Sequence, residues 1–281
     1  MIVKGEIDEL AIYLGADYQV TDKLIVHHPT IAEIAEFGEK KYYSAVFSLT
    51  AIPSDMKFQL EDMGFNYLEV SDYDLFLFLA KTLTPEHTGL LLGPDVDLSK
   101  MTLLKDNTND EIVLVDVEKG IKIDRSVWMR MVSFISKIHG INRKPDKKPA
   151  TETVRQILIK MDRDKAAKAA KEPVHSELKK VLSSLMRTPS CTQSLEELKA
   201  MPLFPVMDML MGIQIYTSTN ALMIGSYSGM VDTSKINKKE FDWMRDVQDA
   251  IHDSKGIVSM NEQHKLSNKP TNGAKSSGKG K

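Results

Sequence analysis

The stretch from residue 101 to 124 constrains the fold most, because it is where the apolar pattern of the chain changes character. Met101-Thr102-Leu103-Leu104-Lys105, Glu111-Ile112-Val113-Leu114-Val115-Asp116 and Ile121-Lys122-Ile123-Asp124 are three short strand-forming runs. The turn-forming segments 106–110 and 118–120 separate them. The pattern predicts a small antiparallel meander, set in a chain that otherwise reads as helices.

Before the meander, Lys23 to His28 is a short apolar run stopped by Pro29, which suits a strand or extended lead-in. Thr30 with Glu33 forms a capping box, and Ile31, Ile34, Phe37, Ala45, Val46 and Leu49 recur at helical spacing, so one helix with a bend at Gly38 is expected. Pro53-Ser54 opens a short helix ending at Gly64. Ser71 with Asp74 caps a third helix, apolar nearly all round, and Thr84-Pro85-Glu86 opens a fourth that stops at Gly93-Pro94. Four helices are therefore expected before any sheet. After the meander, Asp124 caps a helix whose Val127, Trp128, Met131, Phe134, Ile135 and Ile138 share a face before Gly140 ends it.

These readings place an α+β domain at residues 1–140. A basic, proline-bearing linker follows at 141–150 and a helical domain at 151–260. The helical domain should contain a helix from Thr151 with Val154, Ile157, Leu158 and Met161 turned to one side, its second half reaching into solvent. Further helices are expected at Val174 to Arg187, Ser194 to Ala200, Leu203 to about Gly225 and Lys238 to Ile251. The stretch 261–281, rich in Lys, Gly and Ser, has too few apolar residues for a packed core and is expected to be disordered. The fold class expected is thus α+β and mainly α-helical, with the meander in the N-terminal half and a helical C-terminal domain.

Composition narrows the functions. At 42% hydrophobic, 27% charged and a net charge of -2, the chain has the make-up of a globular protein and no whole-molecule attraction for nucleic acid or anionic membranes. Its single cysteine, Cys191, excludes an internal disulfide, and the start of the chain lacks the pattern of a signal peptide, so a reducing, cytoplasmic setting is expected. The apolar stretch from Leu203 to Gly225 is broken by Pro205, Asp208 and Gln214 and reads as a buried helix, not a membrane span.

Catalytic chemistry is hard to place. His27 and His28 are neighbours in an extended run, so their side chains point to opposite faces and do not readily share a metal. Cys191 would need a base or a helix N-terminus to become a nucleophile. Gly225-Ser226-Tyr227-Ser228-Gly229 has Tyr where a nucleophile elbow has Ser, and reads as a helix-ending turn. Neither a phosphate loop nor a dinucleotide fingerprint occurs. The expectation is a protein that is not an enzyme and has no cofactor or metal, for which nucleic acid is not the partner. Met201, Met207, Met209, Met211 and Met223 are the candidate partner-binding residues, because flexible thioethers repack around varied apolar clients. Ordinary core packing is the competing account of the same methionines.

His28-Pro29-Thr30-Ile31-Ala32-Glu33-Ile34 with Phe37-Gly38-Glu39, Leu49-Thr50-Ala51-Ile52-Pro53-Ser54-Asp55-Met56, and Tyr227-Ser228-Gly229-Met230-Val231-Asp232 carry a resemblance to proteins of phage and prophage tail-gene clusters. Several such proteins look like tail assembly chaperones, which hold the aggregation-prone tape-measure protein before tail protein polymerises around it. The resemblance implies a tape-measure or tail protein as partner, possible self-association, and the cytoplasm of a bacterial host as location. A structural tail or neck component of the virion is the alternative. An enzymatic or nucleic-acid-binding host-takeover factor is the alternative of another class.

Overall fold

The computed structural model describes residues 1–106, 110–141, 148–172, 175–229 and 236–244. Two compact units divide the chain, Met1–Leu210 and Met211–Lys281.

The first unit begins with a sheet of which the sequence reading anticipates only the last strand, in the run from Lys23 to His28. Strand β1 (Ile2–Lys4) pairs in parallel with β2 (Asp17–Thr21), and helix α1 (Glu9–Tyr13) makes the crossover that parallel pairing requires. Strand β3 (Leu24–Val26) then returns antiparallel to β2 with a register shift between Gln19 and Thr21. The expectation that four helices precede any sheet is therefore wrong. The missed signal was Asp17-Tyr18-Gln19-Val20-Thr21, which alternates with the period of a half-buried strand and buries Tyr18 and Val20.

The expected bent helix is two helices, α2 (Ile31–Phe37) and α3 (Glu39–Thr50). Gly38 takes φ of 102°, a conformation open to glycine and strained for other residues, so the helix breaks instead of bending. Its N–H still donates to Ile34 and its carbonyl accepts from Tyr42, closing one helix and starting the next. In place of the single helix expected from Pro53 to Gly64 stand a 3-10 turn (Pro53–Asp55) and α4 (Lys57–Asp62), while α5 (Asp72–Ala80) and α6 (Pro85–Leu92) follow at the predicted places, with Ser71 accepting from the Asp74 N–H.

The meander forms as read: β4 (Thr102–Lys105), β5 (Ile112–Asp116) and β6 (Ile121–Ile123), antiparallel throughout. Helix α7 (Arg125–Ile138), capped by Asp124, buries all six residues of its expected apolar face. It packs on β2, β3, β6 and α3 and so joins the two sheets. Phe134 stacks on Tyr18 at 5.2 Å between centroids, and Trp128 lies 5.5 Å from Tyr73, whose hydroxyl donates to the Ile123 carbonyl. The chain is thus mainly α-helical α+β, with two small three-stranded sheets in the N-terminal half and helices beyond.

Helix α8 (Glu152–Ala169) docks by a different face from the one expected. Val154, Ile157 and Met161 are exposed, while Ile159 is buried with Ala51, Leu60, Tyr67 and Leu75. The reason is the partner surface: α4 presents Glu61 and Asp62 beside Leu60. Arg155 grips Glu61 at 2.7 and 3.1 Å and the exposed Arg163 reaches Asp62, so the side carrying Arg155 and Ile159 faces α4. Residues 142–147 of the expected linker lie outside the described residues. Helices α9 (Glu177–Arg187) and α10 (Leu195–Ala200) complete the set that packs near α2.

Helix α11 (Leu203–Tyr227) starts in the first unit. Its opening N–H groups are all accounted for. Pro202, just before it, and Pro205 have none. Leu203 donates to the Pro29 carbonyl at 3.1 Å, and Phe204 to Nε2 of His28 at 3.3 Å. Gly15, with φ of 83°, lies so close that a β-carbon there would meet Pro202 at 2.5 Å.

In the second unit, the rest of α11 ends at a turn in which Gly229 takes φ of 69°, as the helix-ending reading of 225–229 expects. The Thr219 hydroxyl donates to the Glu240 carbonyl, and Tyr216 meets Trp243 edge to face at 6.0 Å. Of the helix expected from Lys238 to Ile251, the described residues form only a 3-10 turn, Lys238–Phe241, which stops at the extended Asp242. Residues 245–251, and the 261–281 stretch, lie outside the described residues. Among the described residues no helix is long and apolar enough to cross a membrane.

Candidate functional site

An apolar concavity of the first unit is assembled by three helix caps. Thr30 accepts the Glu33 N–H through its hydroxyl, and the Glu33 carboxylate accepts the Thr30 N–H at 2.7 Å, which fixes the start of α2. Glu39, at the start of α3, accepts the Leu178 N–H at 2.9 Å, and Ser176 accepts that of Lys179. The Glu39 bond ties the start of α9 to the start of α3, and both bonds satisfy N–H groups that a helix start leaves open. Ser194 and Glu197 form a second capping box that sets α10.

Between these helices lies a groove of about 490 Å³. Ile31 and Leu178, both buried, make its floor, and Leu182 adds to the wall. Met186 and Leu195 stand on the rim, 50% and 45% exposed. The lining is apolar apart from Glu39, Lys179 and two serines, and Glu39 is already engaged with the α9 backbone. A site for one small molecule would bring several polar groups to a point. This groove presents instead a row of flexible apolar side chains, which suits the apolar face of another polypeptide.

Sequence reading placed the binding surface further along. Met201, Met207 and Met209 lie in the first unit, Met211 and Met223 in the second, and each is half-buried. None of the five lines the groove, whose one methionine is Met186. The signal that would have found it is on α9: Leu178, Leu182 and Met186 follow one another at i, i+4 and i+8, one continuous stripe of a helix.

The histidines are organised around packing. His27, half-exposed, holds Nδ1 at 2.7 Å from Asp17 and Nε2 at 3.3 Å from Glu33. The Asp17 hydrogen bond is the main reason its pKa is raised. Burial works to raise the Asp17 carboxyl, yet its bonds from His27 and the His28 N–H outweigh this and hold it below its ordinary value. His28 points the other way, 2% exposed and edge-on to Phe134, and burial with the nearby His139 pushes its pKa down to about 4. His139 donates from Nδ1 to the Ile135 carbonyl and accepts the Tyr42 hydroxyl at 2.8 Å, and burial lowers it to about 4 as well. Both are neutral at pH 7 in the core, His139 bonded through both ring nitrogens and His28 through Nε2 alone.

Asp17, His27 and Glu33 have the order of an acid-base relay, but Glu33 is occupied by the α2 cap. Among the described residues no hydroxyl or thiol is hydrogen-bonded to His27. Cys191 is half-buried, with its thiol 3.5 Å from the Gln193 amide oxygen and 4.0 Å from Met209 sulfur. Among the described residues no group of three His, Cys, Asp or Glu side chains could hold a metal ion. Compared with protein-family models, curated proteins and solved structures, the chain matches none of them, so the groove and its chemistry carry the functional argument.

Proposed function

We propose that this chain is a non-enzymatic protein-binding factor of phage morphogenesis: a tail assembly chaperone that shields an apolar segment of the tape-measure protein. The observation that supports binding is the open groove of α2, α9 and α10, with Leu182, Met186 and Leu195 available to a client and its polar groups at the edges. The assignment to tail assembly rests on the resemblance carried by residues 28–39, 49–56 and 227–232. The half-buried methionines at 201, 207, 209, 211 and 223 are proposed as further client contacts, since none is sealed in the core.

Co-expression with the tape-measure protein tests the reading. The two should co-purify, Met186→Asp should abolish capture while the circular dichroism spectrum is unchanged, and mass spectrometry of finished particles should not find this chain. Presence in particles at fixed stoichiometry would make it a structural tail or neck component instead. For the methionines, Met207→Ala and Met211→Ala should weaken capture with little change in melting temperature. A sharp fall in melting temperature with capture intact would assign them to packing.

A further inference from the structure

The same helix that lines the groove carries a second stripe one residue further on. Lys179, Ser183 and Arg187 follow at i, i+4 and i+8, beside Leu178, Leu182 and Met186. A polar depression of about 470 Å³ opens on that side, lined by His175, Ser176, Lys179, Lys180, Ser183 and Arg187 among others. The acids close by are engaged. Glu39 accepts from the Leu178 N–H, and Glu177 pairs with Lys180 at 2.6 Å. Among the described residues neither Lys179 nor Arg187 has an ion pair. The apolar groove is thus bordered along one side by two cations with no carboxylate on them.

We propose that the groove's occupant is an amphipathic helix with acidic residues along one edge, its apolar face on Leu182 and Met186 and its acids on Lys179 and Arg187. This rests on the reading of the groove as a polypeptide site. Lys179 and Arg187 stand eight residues apart on α9, about 12 Å at the helical rise of about 1.5 Å per residue, so the matching acids on a partner helix lie about seven or eight residues apart. The 11 residues of α9 accommodate about three turns of such a helix. A single-stranded nucleic acid would also meet the cations, but it would want several large aromatic faces for its bases, and neither lining contains a phenylalanine, tyrosine or tryptophan.

The test uses the full chain and a labelled helical peptide of about fourteen residues, long enough to span α9, with leucines on one face and two glutamates about eight positions apart. Fluorescence anisotropy should show binding that weakens about threefold to tenfold when both glutamates become glutamine, or in Lys179→Gln/Arg187→Gln, with the difference vanishing in about 1 M salt. Equal affinity for the acidic and neutral peptides, both lost in Met186→Asp, would overturn the acidic edge and leave the groove standing. Binding of neither peptide would overturn both. Binding of an unlabelled oligothymidine that displaces the acidic peptide and depends on the same two cations would overturn the helix in favour of nucleic acid.

Discussion

Helices α7 and α8 flank the basic segment at 141–150, and both show apolar residues at helical spacing, yet they end up in opposite situations. All six expected residues of α7 are buried, whereas of the four expected on α8 Val154, Ile157 and Met161 are exposed. The difference lies in what receives each helix. Two sheets, α3 and α5 offer α7 a broad apolar surface, with Tyr18 from β2 and Tyr73 and Phe76 from α5, so its most hydrophobic face is its docking face. What α8 meets is the edge of α4, where Leu60, backed by Ala51, Tyr67 and Leu75, makes a small apolar patch beside Glu61 and Asp62. Two arginines and a single isoleucine match that edge better than a row of aliphatics does. An apolar stripe says that a helix can be buried. The surface it meets decides which stripe is used.

Acid should open the widest gap between the two. His28 and His139, on and beside α7, have folded pKa values of about 4 against an unfolded value of about 6.5. Between those values the unfolded chain binds protons that the folded one excludes, so stability falls as the pH drops from about 6.5 and levels off below about 4. Each contributes about 3 kcal/mol by that linkage. The Asp17 contribution, present above the ordinary carboxylate pKa, is lost in the same direction as the pH falls through its lowered value. His27, whose pKa is raised, works against both, its contribution being complete at low pH and lost as the pH rises through its folded value. Melting curves at pH 7 and 4.5 should therefore differ strongly; equal melting temperatures would mean that the two imidazoles are not held neutral.

Phe134→Ala on α7 should cost about 4 kcal/mol in urea unfolding, because it removes a fully buried ring stacked on Tyr18 and leaves a cavity. On α8, Ile159→Ala should cost about 2 to 3 kcal/mol, since its pocket at the surface-facing α4 can partly collapse. Met161→Ala, on the stripe that amphipathicity singled out, should change stability by less than about 0.5 kcal/mol. Were Met161→Ala to cost more than Ile159→Ala, the assignment of the docking face would be reversed.

Much of this was legible in the residues. Asp124, Ser71, Thr30 and Ser194 each cap a helix through their own side chains, and the meander pairs where alternation and turn residues place it. Such features are local: a cap or a two-stranded turn involves residues a few positions apart, and their energies do not wait on the rest of the chain. Gly38 shows the limit even of local reading, since its sequence marks a weak point and only its φ of 102° shows two helices.

What the sequence by itself determined, then, is the succession of helices and the meander after residue 30 and the burial of α7. Tertiary structure alone decided the parallel pairing of β1 with β2, the inward stripe of α8 and the groove between α2, α9 and α10. Each of these depends on residues far apart meeting: Ile2 with Asp17, Arg155 with Glu61, Glu39 with Leu178. The sign of such a contact is set by the complementarity of two surfaces, and a pattern along one segment holds only half of that information.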